Sequence, residues 1–178
     1  MERLELNIST SFPKIEVSEK CLFLGSCFSN EIGDKFNNSK INTLINPFGV
    51  LFHPETIFKL ITRAIYKDVF VESDFFEFKD YWFNYEFSGS LAKFGRKEAV
   101  DFANDKLREL HHYLLTGDRL FLTFGSSVER RLNGNIVANC HKQPKSLFDR
   151  SITPAESMFL NGRKCLDTLR KNNAKMKI

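Results

Sequence analysis

Ser26 stands where a strand pattern gives way to a helix pattern. Cys21-Leu22-Phe23-Leu24 is a buried-type apolar run, Gly25-Ser26 breaks it, and a helical pattern runs from about Phe28 to Phe36. Such a corner sets a serine at the carboxyl edge of a sheet, beside the free N–H groups and positive end of a helix. Open α/β sheets bind ligands there. A serine so placed can act as a nucleophile, provided a base takes its proton and donors meet the tetrahedral oxyanion. A plain turn is the other use of the same Gly-Ser pair.

The elements that must position this serine are legible around it. Ile41–Ile45 reads as a second strand, ending at Asn46-Pro47-Phe48-Gly49, and Leu120–Phe124 as another, ending at Gly125-Ser126-Ser127. Between them, Ile57, Leu60, Ile61, Ala64 and Ile65 recur at helical spacing behind Pro54, and His53 reads as the residue that opens this helix. Val100, Ala103, Leu107, Leu110 and Leu114 mark a further amphipathic helix stopped by Gly117. His111 and His112 on that helix read as surface or flanking residues. The Phe-rich segment 70–87 suits strands or a hairpin, used either to line a cleft or as a flap over the core. Asn133-Gly134 is a hairpin turn signal. Thr153-Pro154-Ala155-Glu156 announces a last helix, with Thr153 as cap, Pro154 in the first helical position and Glu156 closing a capping box. Strands alternating with helices predict a parallel sheet of about four strands covered on both faces. The loops at Ser26, Gly49 and Gly125 then share one edge and form a cleft, with Asn139 or His141 near its rim.

Composition narrows the function classes. The 178 residues suit one domain, 42% hydrophobic and 27% charged, with 19 Phe for an aromatic-packed interior. The net charge is +4. The basic residues are scattered, apart from a tail cluster between Arg163 and Lys177, and no basic stripe with stacking aromatics argues for nucleic acid. The first residues lack the apolar core of a signal peptide, and no run is long enough for a membrane span, so the expectation is a cytoplasmic protein without a membrane partner. Cys21, Cys27, Cys140 and Cys165 are widely spread and read as reduced thiols. The irregular spacing of Cys27, Cys140 and His141 does not make a metal site, and no cofactor motif is present.

Gly25-Ser26-Cys27-Phe28, Asn46-Pro47-Phe48-Gly49 and Ala138-Asn139-Cys140-His141-Lys142 resemble, in order, the motifs of the GSCFA family across residues 20 to 148. That family is similar to the SGNH (GDSL-type) hydrolases. The resemblance implies an α/β three-layer sandwich with a mainly parallel central sheet, flavodoxin-like in layout, and a serine esterase acting on a small-molecule or glycan acyl ester. It implies Ser26 as nucleophile and Gly49 as the second oxyanion donor, with Asn46 in the same loop. In the third block Gly125 falls where a glycine belongs. Ser127 takes the place of an asparagine, and Asn139 is the other source of that amide. The base of such enzymes is the histidine of a late Asp-x-x-His, and no Asp here is followed three places later by His. Of His53, His111, His112 and His141, only His141 lies in a motif of the resemblance and is the candidate substitute. The expectation is therefore one domain over 1–178, C-terminally incomplete, whose last residues alternate like the opening of another strand. The competing reading is a catalytically incomplete binding or assembly domain, forming a homodimer or taking a partner through an open sheet edge.

Overall fold

The computed structural model describes residues 14–178. Along the chain the elements run β1 (Lys20–Gly25), α1 (Cys27–Asn38), β2 (Asn42–Ile45), α2 (Pro54–Tyr66), β3 (Phe76–Phe78), β4 (Tyr81–Phe83) and α3 (Arg96–Thr116). After them come β5 (Arg119–Thr123), β6 (Val128–Leu132), β7 (Asn135–Val137), β8 (Asp149–Ile152) and α4 (Ala155–Asn172). The mixed α/β architecture agrees with the layered fold expected.

The central sheet has the order β2-β1-β5, and both pairings are parallel. Alternation along β1 sorts its side chains between two layers. Phe23 stacks on Phe121 at 4.5 Å and meets Phe36 of α1 edge-on at 5.1 Å. Leu22 and Leu24 instead join the buried stripes of α2 (Ile57, Leu60, Ile61) and α3 (Leu107, Leu110, Leu114). Leu110 and Leu114 are fully buried; each such side chain contributes roughly 1.5–3 kcal/mol. α4 packs on α2, with Gly162 against the Phe58 ring and the Cys165 thiol directed at the Phe58 carbonyl.

Among the described residues the sheet holds three strands rather than the four expected, with an isolated bridge on the free edge of β5. Lys177 bridges Arg119 in parallel. The Leu120 N–H donates to the Lys177 carbonyl at 2.8 Å, and the Lys177 N–H to that of Asp118 at 2.9 Å. The Phe-rich segment is a flap: β3 and β4 form a hairpin turned by Lys79 and Asp80, both at positive φ. Behind it, Phe48, Phe70, Phe75 and Phe87 are buried against one another. A second antiparallel sheet, β7-β6-β8, carries the Asn133-Gly134 turn, whose positive φ values of +50° and +78° suit the twist of a tight hairpin.

One local expectation is corrected. Thr153 does not cap α4: Pro154 takes the cap position without a side-chain bond, and the helix starts at Ala155. The Thr153 hydroxyl is drawn instead to a buried carboxylate, Glu129, at 2.8 Å. A charge-assisted bond in a dry site outweighs one exposed cap. No helix among the described residues is long and apolar enough to cross a membrane.

Candidate active site

Gly25 ends β1 in a conformation with φ of +138°, and a Cβ there would lie 1.9 Å from the Thr123 carbonyl oxygen. Only glycine lets β1 turn this closely past β5. Ser26 follows at the carboxyl edge of the sheet, as the N-cap residue of α1. Its N–H donates to the Thr123 carbonyl and Oγ1, each at 3.0 Å, so this N–H is engaged with β5.

Thr123 also organises the hydroxyls. Its Oγ1 lies 3.0 Å from Ser26 Oγ and 2.8 Å from Ser29 Oγ. A hydroxyl donates once, and Ser29 is fully buried with Thr123 as its only hydroxyl partner among the described residues. Burying an O–H without an acceptor is costly, so Ser29 donates to Thr123, and Thr123 donates to Ser26. This order, assigned from the network, leaves the Ser26 proton with no acceptor among the described residues, on a residue that retains 8% exposure.

The second loop is held to the first. Asn46, at φ +40°, accepts the Gly25 N–H on Oδ1 at 2.8 Å and donates from Nδ2 to Asn30 at 2.6 Å. The Gly49 N–H closes the turn onto the Asn46 carbonyl at 2.7 Å, and a Cβ on Gly49 would meet Ser88 at 2.4 Å. Gly49 thus serves the turn and the close approach of the 88–90 segment. Residues 51 and 52 then stitch the edge together. The Leu51 N–H donates to the Gly25 carbonyl at 2.9 Å, and the Phe52 carbonyl accepts from Gly125 and Ser126 at 2.9 and 3.2 Å. Gly125 is close to the serine: a Cβ built on it would sit 3.5 Å from Ser26 Cβ. The Ser127 carbonyl accepts the Thr153 N–H at 2.9 Å.

Beyond Phe52 opens a cavity of about 840 Å³, lined among others by His53, Ser126, Arg130, Asn139, Lys142 and Arg150. The volume lies within the range of small-molecule sites. Asn139 Oδ1 accepts the His141 N–H at 2.8 Å, and the residue lines the cavity wall. His141 itself points inward. Its Nε2 lies 2.8 Å from the Asn84 carbonyl, and its ring packs among Phe76, Phe83 and Tyr85. Nδ1 is buried without a partner among the described residues and faces Gly89. Burial holds its pKa below the usual histidine value, against the pull of the Asn84 carbonyl. Neither nitrogen is bonded to Ser26.

The residue sequence reasoning undervalued is His53. Its Nδ1 accepts the Glu55 N–H at 3.2 Å and caps α2. Nε2 therefore carries the proton and donates to Thr153 Oγ1 at 3.0 Å, and Thr153 donates to Glu129 Oε2 at 2.8 Å. Burial lowers the His53 pKa, opposed by the Ser127 backbone and the Glu129 charge. Arg131, above all, then Ser151 and Thr153, hold the Glu129 carboxyl near 2 against the upward push of burial. A period-2 reading of residues 128–132 separates Glu129 from Arg130; nothing local points to Thr153 as its partner.

The GSCFA family model matches residues 20–178. The chain belongs to the GSCFA family. No curated protein and no solved structure matches it. In GSCFA terms, the first motif forms the corner at Ser26 and the second the loop locked to it through Asn46. The third forms the turn that buries His141 and brings Asn139 to the cavity wall.

Proposed function

We propose that this GSCFA domain carries the nucleophile of an SGNH-type serine acyl hydrolase at Ser26, and that the site within the described residues lacks a base. The observation that carries this reading is the hydroxyl cluster of Ser26, Thr123 and Ser29 at the sheet edge. With the donor order assigned above, it holds the serine oxygen and leaves its proton free for transfer. Asn139, on the cavity wall, is the donor left to serve an oxyanion or the substrate. The N–H groups of Gly49, Gly125 and Ser26 would first have to exchange their present partners. No imidazole reaches Ser26: His53 is held by Glu55 and Thr153, His111 by the Ala64 carbonyl, His112 lies near Thr116, and His141 is held by Asn84. The substrate class, an acyl ester of a small molecule or glycan, rests on the family likeness to SGNH enzymes.

The test is a fluorophosphonate probe together with a short-chain ester assay on the 178-residue protein and its Ser26→Ala and His141→Ala variants. Slow labelling confined to Ser26, lost in Ser26→Ala and kept in folded His141→Ala, is expected. Turnover should stay at the residual level of a site missing one triad member, ~10³–10⁴ over water. No labelling at Ser26 would overturn the nucleophile assignment. Robust turnover lost in both variants would overturn the claim that the base is absent and give that role to His141.

A further inference from the structure

Two arginines of the second sheet stand directly opposite each other. Arg130 of β6 and Arg150 of β8 are register partners, and both line the cavity beyond Phe52. Directly opposed like charges destabilise a sheet, because their Cβ atoms lie only ~4.5–5.5 Å apart. Elsewhere the chain neutralises its arginines: every other one among the described residues is ion-paired with a carboxylate. Arg130 and Arg150 have no such pair among the described residues, and no aspartate or glutamate lines the cavity. Strand alternation explains the segregation. Glu129 and Arg131 project to the other face of β6 and pair there, at 2.9 Å.

Two lysines add to the same wall. Lys142 and Lys145 line the cavity, and neither is ion-paired among the described residues. Lys142 reaches its place through a strained turn. The Gln143 N–H closes onto the Cys140 carbonyl at 2.9 Å, over His141 and Lys142 at φ of +49° and +59°. Such a turn ordinarily takes Asn-Gly, and the left-handed conformation is strained for residues that carry a side chain. The strained geometry buries His141 and leaves Lys142 at the cavity. The tail cluster prominent in the sequence is, by contrast, largely neutralised, with Arg163 and Arg170 on Asp167 and Lys175 on Asp118.

We propose that this cavity is an anion-binding cleft, which takes a carboxylate or phosphate group of a sugar-sized ligand between Arg130 and Arg150. An oxyanion there converts a repulsive pair into two charge-assisted, fork-shaped contacts. Lys142, Lys145 and the Asn139 amide surround it. The Phe52 carbonyl, bonded to Gly125 and Ser126, links the cleft to the serine corner. As a statement about substrate, an acyl ester carrying an anionic group, the inference rests on the hydrolase reading of Ser26; as a statement about binding it does not.

The experiment is isothermal titration of the 178-residue protein at low salt with inorganic phosphate, glucuronate and glucose. Saturable binding of an anion at one site, with none of glucose, is expected. A preference for glucuronate assigns the carboxylate, and a preference for phosphate the phosphoryl group. Arg130→Gln and Arg150→Gln should each weaken binding about tenfold or more. Ser26→Ala should bind as the parent does, which separates this test from the hydrolase reading, and so should Lys97→Gln on the exposed face of α3. Without ligand, Arg150→Gln should melt at or above the parent temperature, because a repulsion is relieved. Equal binding of glucose, parent-like binding by both arginine variants, an equal loss in Lys97→Gln, or a lower melting temperature for ligand-free Arg150→Gln would each overturn the proposal.

Discussion

Glu129 gives the sharpest quantitative test of the network behind the site. Replacing it by Gln keeps the shape but removes the charge, and sets an amide nitrogen against Arg131 or Thr153. Its carboxyl sits at about 2 instead of the ordinary 4.5. The folded-state value is depressed, so ionised Glu129 stabilises the fold fully above pH 4.5, and the gain is lost as pH falls from 4.5 toward 2. The full shift corresponds to roughly 3 kcal/mol. The Arg131 side chain is 42% exposed, and solvent screening brings the figure nearer to about 2 kcal/mol. Urea unfolding at pH 7 should therefore show Glu129→Gln less stable by about 2 kcal/mol, and at pH 3 the gap should shrink by more than half. Taking the difference between the two proteins at each pH cancels the other carboxyl groups. A gap that stays constant from pH 7 to pH 3, or one below about 0.5 kcal/mol at pH 7, would refute the assignment of a buried, Arg131-held carboxylate.

Gly25→Ala, with φ of +138° and a Cβ 1.9 Å from the Thr123 carbonyl, should lose more than about 3 kcal/mol or fail to accumulate as soluble protein. Gly134→Ala, at φ +78° with open space around it, should cost only about 1 kcal/mol in the same denaturation assay. Burial lowers the His141 pKa, so the unfolded chain takes up its proton first, and stability falls as pH drops below the ordinary histidine value of about 6.5. Proton NMR of the folded protein should show the His141 ring titrating below that value; a titration above it would show the imidazole to be solvated or paired with a carboxylate.

The fold was legible where local pattern and tertiary use agree. The α2 stripe from Ile57 to Ile65, the α3 stripe ending at Leu114, and the Gly25-Ser26 break all stand where periodicity sets them. Reading failed where a side chain serves a distant partner. Thr153 has the local signature of a helix cap, but its hydroxyl bridges His53 and Glu129, residues 100 and 24 positions away. Thr123 looked like an ordinary strand residue, and no spacing rule links it to Ser26. The basic cavity was hidden for the same reason. Arg130, Lys142, Lys145 and Arg150 are spread along hairpin and loop; the β6–β8 register joins the two arginines, and the 140–145 loop brings the lysines to the same cavity.

The bond between Ser26 and Thr123 also bears on when the site comes into being. The two residues are 97 positions apart, and parallel pairing over such a span closes a long loop before it is rewarded, which makes it slow. As the chain leaves the ribosome, β1, α1 and β2 can associate early, while β1 keeps one open edge until α3 and then β5 have been made. The corner at Gly25 has no carbonyl to lean against during that interval, and neither serine hydroxyl has its threonine. The serine is thus synthesised well before the strand that places it.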